Sequence, residues 1–198
     1  LRGTALTFIA MLALLALLAT PAGAQDPVPI PSLPAVGSLP TGGAQYDAEP
    51  PVFQPTVPGA LAQIVDGVAY APADAPDAVK QAIWAANAIV GLPYKYGGGH
   101  ARGFQDSGYD CSGTVSYALH AASLLSVPRD SGSLLRWGAG GRGQWLTVYT
   151  RASHAFAVIA GIRLDTSAAG DPAGGKGPRW RPALRPMRGY RARHAVGL

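Results

Sequence analysis

Apolar residues recur with two different periods along this chain. Ala78, Val79, Ala82, Ile83, Ala86, Ile89 and Val90 fall on one face of a 3.6-residue period. Gly91 followed by Pro93 supplies a stop, so a helix is expected over about 77–90. A second stripe, Val115, Ala118, Leu119 and Ala122, predicts another helix that opens near residue 111. Beyond it the period changes. Residues 145–150 alternate with β-branched and aromatic content and read as a strand. Residues 154–160 are apolar on both faces after the first position, which suits a strand covered on both sides. Strands are also expected at 162–167 and 190–194, and a short strand pair at 63–70. Helices followed by strands predict an α+β domain, with two main helices on an antiparallel sheet.

The first 75 residues read differently. Residues 5–19 are almost wholly apolar, Arg2 precedes them, and Ala22-Gly23-Ala24 before Gln25 fits the small-x-small cleavage rule. That pattern predicts a secretory signal peptide over 1–24, and the apolar run is short of the ~20 residues of a spanning helix. No stable membrane span is expected after cleavage. Gln25 stands where a lipid-attachment cysteine would be needed. Residues 25–75 are rich in proline, which fixes φ and removes a donor, so a semi-rigid tether is expected there, leaving a domain at 76–198. An exported chain acts as a secreted or periplasmic protein.

Charge separates the same parts. Residues 1–75 carry one base against five acids, and residues 76–198 carry fifteen against six. The arginine-rich domain surface could hold anionic wall or envelope polymers, or stay simply solvated. Export disfavours nucleic acid as a partner. Paired cysteines and His-x-x-x-His spacings are missing from the sequence, and no metal or organic cofactor is implied.

Candidate chemistry centres on Cys111, the single cysteine, within Gly108-Tyr109-Asp110-Cys111-Ser112-Gly113. It falls in the first turn of the second helix, where unpaired N–H groups and the positive end of the dipole favour an anion. A thiolate there is a ready nucleophile. A lone cysteine is also often just a small buried hydrophobe. Here Asp110 and Ser112 make the site polar, and Gly113 lets a backbone approach closely. Upstream lies an aromatic, glycine-rich loop, Pro93-Tyr94-Lys95-Tyr96-Gly97-Gly98-Gly99, and downstream Ser153-His154-Ala155-Phe156 opens the doubly covered strand.

This ordered set resembles the NlpC-type cysteine peptidases of bacterial cell walls, over roughly residues 78–167. The resemblance implies a papain-like fold, with the nucleophile cysteine at a helix N-terminus facing a histidine from the sheet. It further implies Cys111 as nucleophile, His154 as base and Tyr94 as a residue beside the nucleophile that helps to stabilise the oxyanion. Tyr96 is then a packing residue. The implied activity is hydrolysis of peptide bonds in the stem or cross-link peptides of peptidoglycan. Two departures stand out: the third catalytic place, most often histidine in that family, is not histidine here, and Phe156 replaces a commonly small residue.

Strand register bears on that third place. A two-residue turn at Ala160-Gly161 pairs Ile159 with Ile162, which sets Phe156 opposite Asp165 and puts Asp165 on the face of His154. A three-residue turn would present Thr166 instead, because a one-residue slip exchanges the faces. Asp165 is preferred, since a carboxylate can accept from the imidazole and hold its tautomer.

The remaining features are weaker. The glycine-rich stretch 136–143 fits a cleft wall or a connector. Trp180 reads better as a core cap than as a ligand platform, and His194 is a second, more structural histidine. Two other functions stay compatible with the sequence: a non-catalytic wall-binding module with an idle thiol, and a thiol acyltransferase.

Overall fold

The apolar stripe of the first helix is buried along its length. The computed structural model describes residues 53–198 apart from 173 and 183, so the expected signal peptide and most of the expected tether lie outside the described residues. Helix α1 spans Asp77–Ile89 and buries Val79, Ala82, Ile83, Ala86 and Ile89. It stops where Val90 turns extended and Gly91 takes a φ of 93°. Helix α2 spans Cys111–Ala121 and buries Val115, Ala118 and Leu119 against α1 and the sheet. A third, four-residue helix, α3 (Ser131–Leu134), starts at Asp130, whose side chain accepts from the Ser133 N–H.

Before α1 the chain forms a small sheet rather than continuing a tether to residue 75. Strand β1 (Thr56–Val57) pairs parallel with β3 (Val68–Pro72), and β2 (Gln63–Val65) pairs antiparallel with β3. Ala69 and Ala71 join the main core. Asn87 of α1 locks the strand on, accepting from the Ala69 N–H and donating to its carbonyl, both at 2.9 Å. Only part of this stretch had strand patterning, because proline obscured the rest.

The main sheet is antiparallel throughout, in the order β4-β9-β5-β6-β7-β8. Its strands are β4 (Ala139–Gly140), β5 (Leu146–Arg151), β6 (His154–Ile159), β7 (Ile162–Asp165), β8 (Arg179–Pro182) and β9 (Arg191–His194). The arrangement is therefore the expected α+β one, two main helices on an antiparallel sheet. The β6–β7 turn has two residues, Ala160 and Gly161, with φ of 46° and 89°, as the tightest hairpin turns require. It pairs Ile159 with Ile162, the register deduced above.

One face of the sheet presents Leu146, Val148, Ala155, Ala157, Ile159 and Leu164 to the helices. The other face is covered by the chain between β8 and β9. There Phe156 stacks on Tyr149 (centroids 5.2 Å) and meets Tyr190 edge-on (5.0 Å). This second layer explains why β6 lacks polar alternation. Trp180 is buried in the main core and donates through Nε1 to Asn87 Oδ1 at 2.7 Å, so it is a core residue.

Candidate active site

Cys111 is the first residue of α2, and the way that helix begins decides what surrounds its sulfur. Asp110 is the N-cap; its Oδ1 accepts from the Gly113 N–H at 2.7 Å and from Ser112 Oγ at 3.0 Å, while Oδ2 accepts from the Gly97 N–H at 3.1 Å. One carboxylate thus holds both the helix start and the glycine-rich loop. The loop lies close enough that a Cβ on Gly113 would sit 2.0 Å from the Gly98 carbonyl oxygen. Glycine is required there by contact, as the sequence suggested.

The same packing sets Tyr94 beside the cysteine. Tyr94 bridges to Tyr109, with backbone bonds from Tyr109 N to Pro93 O and from Lys95 N to Tyr109 O. Burial and the negative fields of Cys111 and Asp110 raise the pKa of the Tyr94 phenol, so it stays protonated and able to donate. Tyr96 was expected to pack. It is instead 91 % exposed, because the chain turns outward into Gly97 (φ 73°), and it lines the cleft.

His154 opens β6 and directs Nε2 to Asp165 Oδ1 at 2.9 Å. The imidazole also interacts with the Cys111 side chain. Burial opposes the imidazolium most strongly, but the bonds to Asp165 and Cys111 and their charges outweigh it, raising the His154 pKa to about 9. Asp165 is fully buried. Its burial favours the neutral acid, yet the bonds from His154 and the Ser167 N–H, with the nearby His154 and Arg185 charges, hold its pKa below the ordinary value. The structure brings Cys111, His154 and Asp165 together, with Tyr94 close enough to feel the cysteine's charge. The bond from His154 goes to Asp165, while Thr166 lines a cavity next to it.

Two cavities border these residues and share Tyr94. The first, of about 540 Å³, is bordered by Cys111, Tyr96, His100, Asp110, Asp130 and Ser153 among others. The second, of about 470 Å³, is bordered by His154, Thr166, Ser167 and Lys176. Cys111 is 9 % exposed, at the floor of the first. His100 was not singled out from the sequence; it lies 3.0 Å from Asp110 Oδ1, and only the folding of the loop brings it there. Residues 136–143 border neither cavity and serve as a connector that carries β4. His194 meets the Gly141 carbonyl from β9, away from both cavities.

No family model and no curated protein matches the chain. Among solved structures, it is similar to Rv1477, a hypothetical invasion protein of Mycobacterium tuberculosis, at 26 % identity and a TM-score of 0.43. That match covers 59 % of this chain and 62 % of the other, so the chain spans about three fifths of that protein. It is also similar to RipD of Mycobacterium tuberculosis, at 21 % identity and a TM-score of 0.45, covering 62 % of this chain and all of the other. RipD is described as a non-catalytic NlpC/p60 domain protein adapted to peptidoglycan binding.

Proposed function

We propose that this is an exported cysteine peptidase of the NlpC type with a papain-like fold, which hydrolyses amide bonds in peptidoglycan stem or cross-link peptides. The observation that carries the reading is the bond from His154 to the buried Asp165 carboxylate, with Cys111 interacting with the same imidazole and bordering an open cleft. An idle cysteine would have no use for a histidine oriented and charged by a buried acid.

In the proposed reaction the Cys111 sulfur attacks the carbonyl carbon, and its proton resides on His154. The imidazolium gives that proton to the leaving amine as the C–N bond breaks, leaving a thioester. Water then adds to the thioester, with His154 taking its proton, and the carboxylic acid leaves as the thiol reforms. The Cys111 N–H, free of an intrahelical partner at the first helical position, and the Tyr94 hydroxyl are the proposed oxyanion donors. Asp165 orients the ring. The peptide would lie across the two cavities that meet at Tyr94.

The test is incubation of purified protein and its Cys111→Ala variant with peptidoglycan, followed by mass analysis of released muropeptides. New amino termini from the parent alone support the peptidase. Equal binding by both without cleavage identifies a wall-binding module, and transfer to an added amine or lipid identifies an acyltransferase.

A further inference from the structure

Asp165 receives more than the third member of a triad needs. Its Oδ1 meets His154 Nε2 and the Ser167 N–H, each at 2.9 Å, while Oδ2 takes the Arg185 guanidinium at 2.5 Å and lies 3.4 Å from Arg163 Nε. Arg163 belongs to the same strand as Asp165, and its NH2 is committed to the Ala169 carbonyl at 2.9 Å. Arg181, on β8, is committed to Asp171 and to the carbonyls of Gly174 and Gly175. Arg185 is different, since it reaches in from the segment between β8 and β9.

That reach is held at every point but one. The Arg185 guanidinium lies 4.8 Å from the Phe156 ring and 5.3 Å from the Tyr190 ring, and its NH2 donates to the Tyr190 hydroxyl at 3.1 Å. Tyr190 also meets the His154 ring edge-on at 6.3 Å. The Arg185 Nε is buried and meets no protein acceptor. A side chain serving only to fill space beneath aromatic rings would do better as an apolar one, because a buried unpaired donor is costly. The arrangement makes sense if the charge on Oδ2 is what matters.

We infer that Arg185 is a positioning residue: held against Phe156 and Tyr190, it fixes Oδ2 of Asp165 so that Oδ1 stays aimed at His154. The inference rests on the reading of Cys111 and His154 as nucleophile and base, and it adds the β8–β9 segment to the site. The charged and titratable groups around Asp165 are His154, Arg163, Arg181, Arg185, Asp171, Tyr190, its cross-strand partner Arg179, and, across the imidazole and Tyr190, Cys111 and Arg151. Of these, Arg185 is the cation that can be removed without touching β7 or β8.

The test compares the parent with Arg185→Met and Arg185→Lys by the pH dependence of Cys111 alkylation with iodoacetamide, and by the exchange-protected imidazole N–H resonance of His154. In Arg185→Met the acid limb of alkylation moves toward neutral pH by about one unit, the scale of a lost opposite charge. The His154 N–H resonance broadens or disappears. Arg185→Lys restores the limb in part, since it keeps the charge and loses the planar fork. If Arg185→Met does not fold, Tyr190→Phe, which frees one end of the guanidinium, moves both readouts the same way by less. A folded Arg185→Met protein with the parental alkylation profile and His154 resonance overturns the inference. Because neither readout needs peptide cleavage, a parent that fails to cut peptidoglycan, together with variants that show these shifts, refutes the peptidase and leaves the positioning role standing.

Discussion

His154 Nε2 and Asp165 Oδ1 lie 2.9 Å apart, joined through a hairpin whose turn has only two residues. The short turn fixes the register, and the register puts the acid on the histidine's face. The carboxylate is buried with no exposure of its own, so its charge is sustained by His154, Arg163 and Arg185 rather than by water.

Removing Asp165 therefore has two separable effects. Asp165→Ala leaves those cations without their partner and is expected to destabilise the fold by about 3–5 kcal/mol. Asp165→Asn keeps the volume but loses the charge that orients the imidazole, and on the proposed peptidase reading kcat should fall by up to ~10⁴-fold. Urea unfolding and steady-state kinetics on the two variants separate the roles.

Stability should decline in mild alkali. The folded pKa of His154 is raised from 6.5 to about 9, so the stabilisation from its imidazolium is complete below pH 6.5 and lost as pH rises through about 9. The urea midpoint should fall between pH 6.5 and pH 9.5 in the parent, and more weakly in His154→Gln. Equal slopes in both proteins would show that another group is responsible.

Gly113→Ala should be harmful out of proportion to one methyl. Its Cβ would meet the Gly98 carbonyl oxygen at 2.0 Å, a backbone atom that cannot rotate away. A loss of about 1–3 kcal/mol is expected, together with slower Cys111 alkylation as the loop shifts. Parental values in both measurements would mean that the loop retreats freely.

Asn87 ties together three elements that are far apart in sequence, bonding Ala69 of β3 and Trp180 of β8 from α1. Asn87→Ala should cost about 1–3 kcal/mol for each buried group left unpaired. Truncation at residue 76, which also removes Ala69 and Ala71 from the core, should be worse still. A truncated protein as stable as the parent in thermal unfolding would place residues 56–72 outside the folding unit.

Tyr94→Phe separates a ring from its hydroxyl. The residue is 43 % exposed, so thermal stability should hold within about 0.5 kcal/mol. If the hydroxyl donates to the oxyanion, kcat should fall by about 100- to 1,000-fold with KM little changed. A variant with full kcat would leave that role to backbone N–H groups.

Local order in the sequence settled the two helices, the cysteine at the head of the second and the glycine contact at Gly113, and narrowed the face of Asp165 to a choice between two turn lengths that the structure resolves. Each depends on residues within a turn or a hairpin, where a period or a two-residue loop fixes the geometry. Distant pairing decided the rest. The insertion of β9 between β4 and β5, the parallel pairing of Thr56–Val57 with β3, the placing of His100 in the cleft and the turning out of Tyr96 leave no periodic trace, since each is set by which surfaces meet after folding. Arg185 is the clearest case. Nothing near it in the chain marks it, and its partners Phe156, Asp165 and Tyr190 come together only when the β8–β9 segment closes over the sheet.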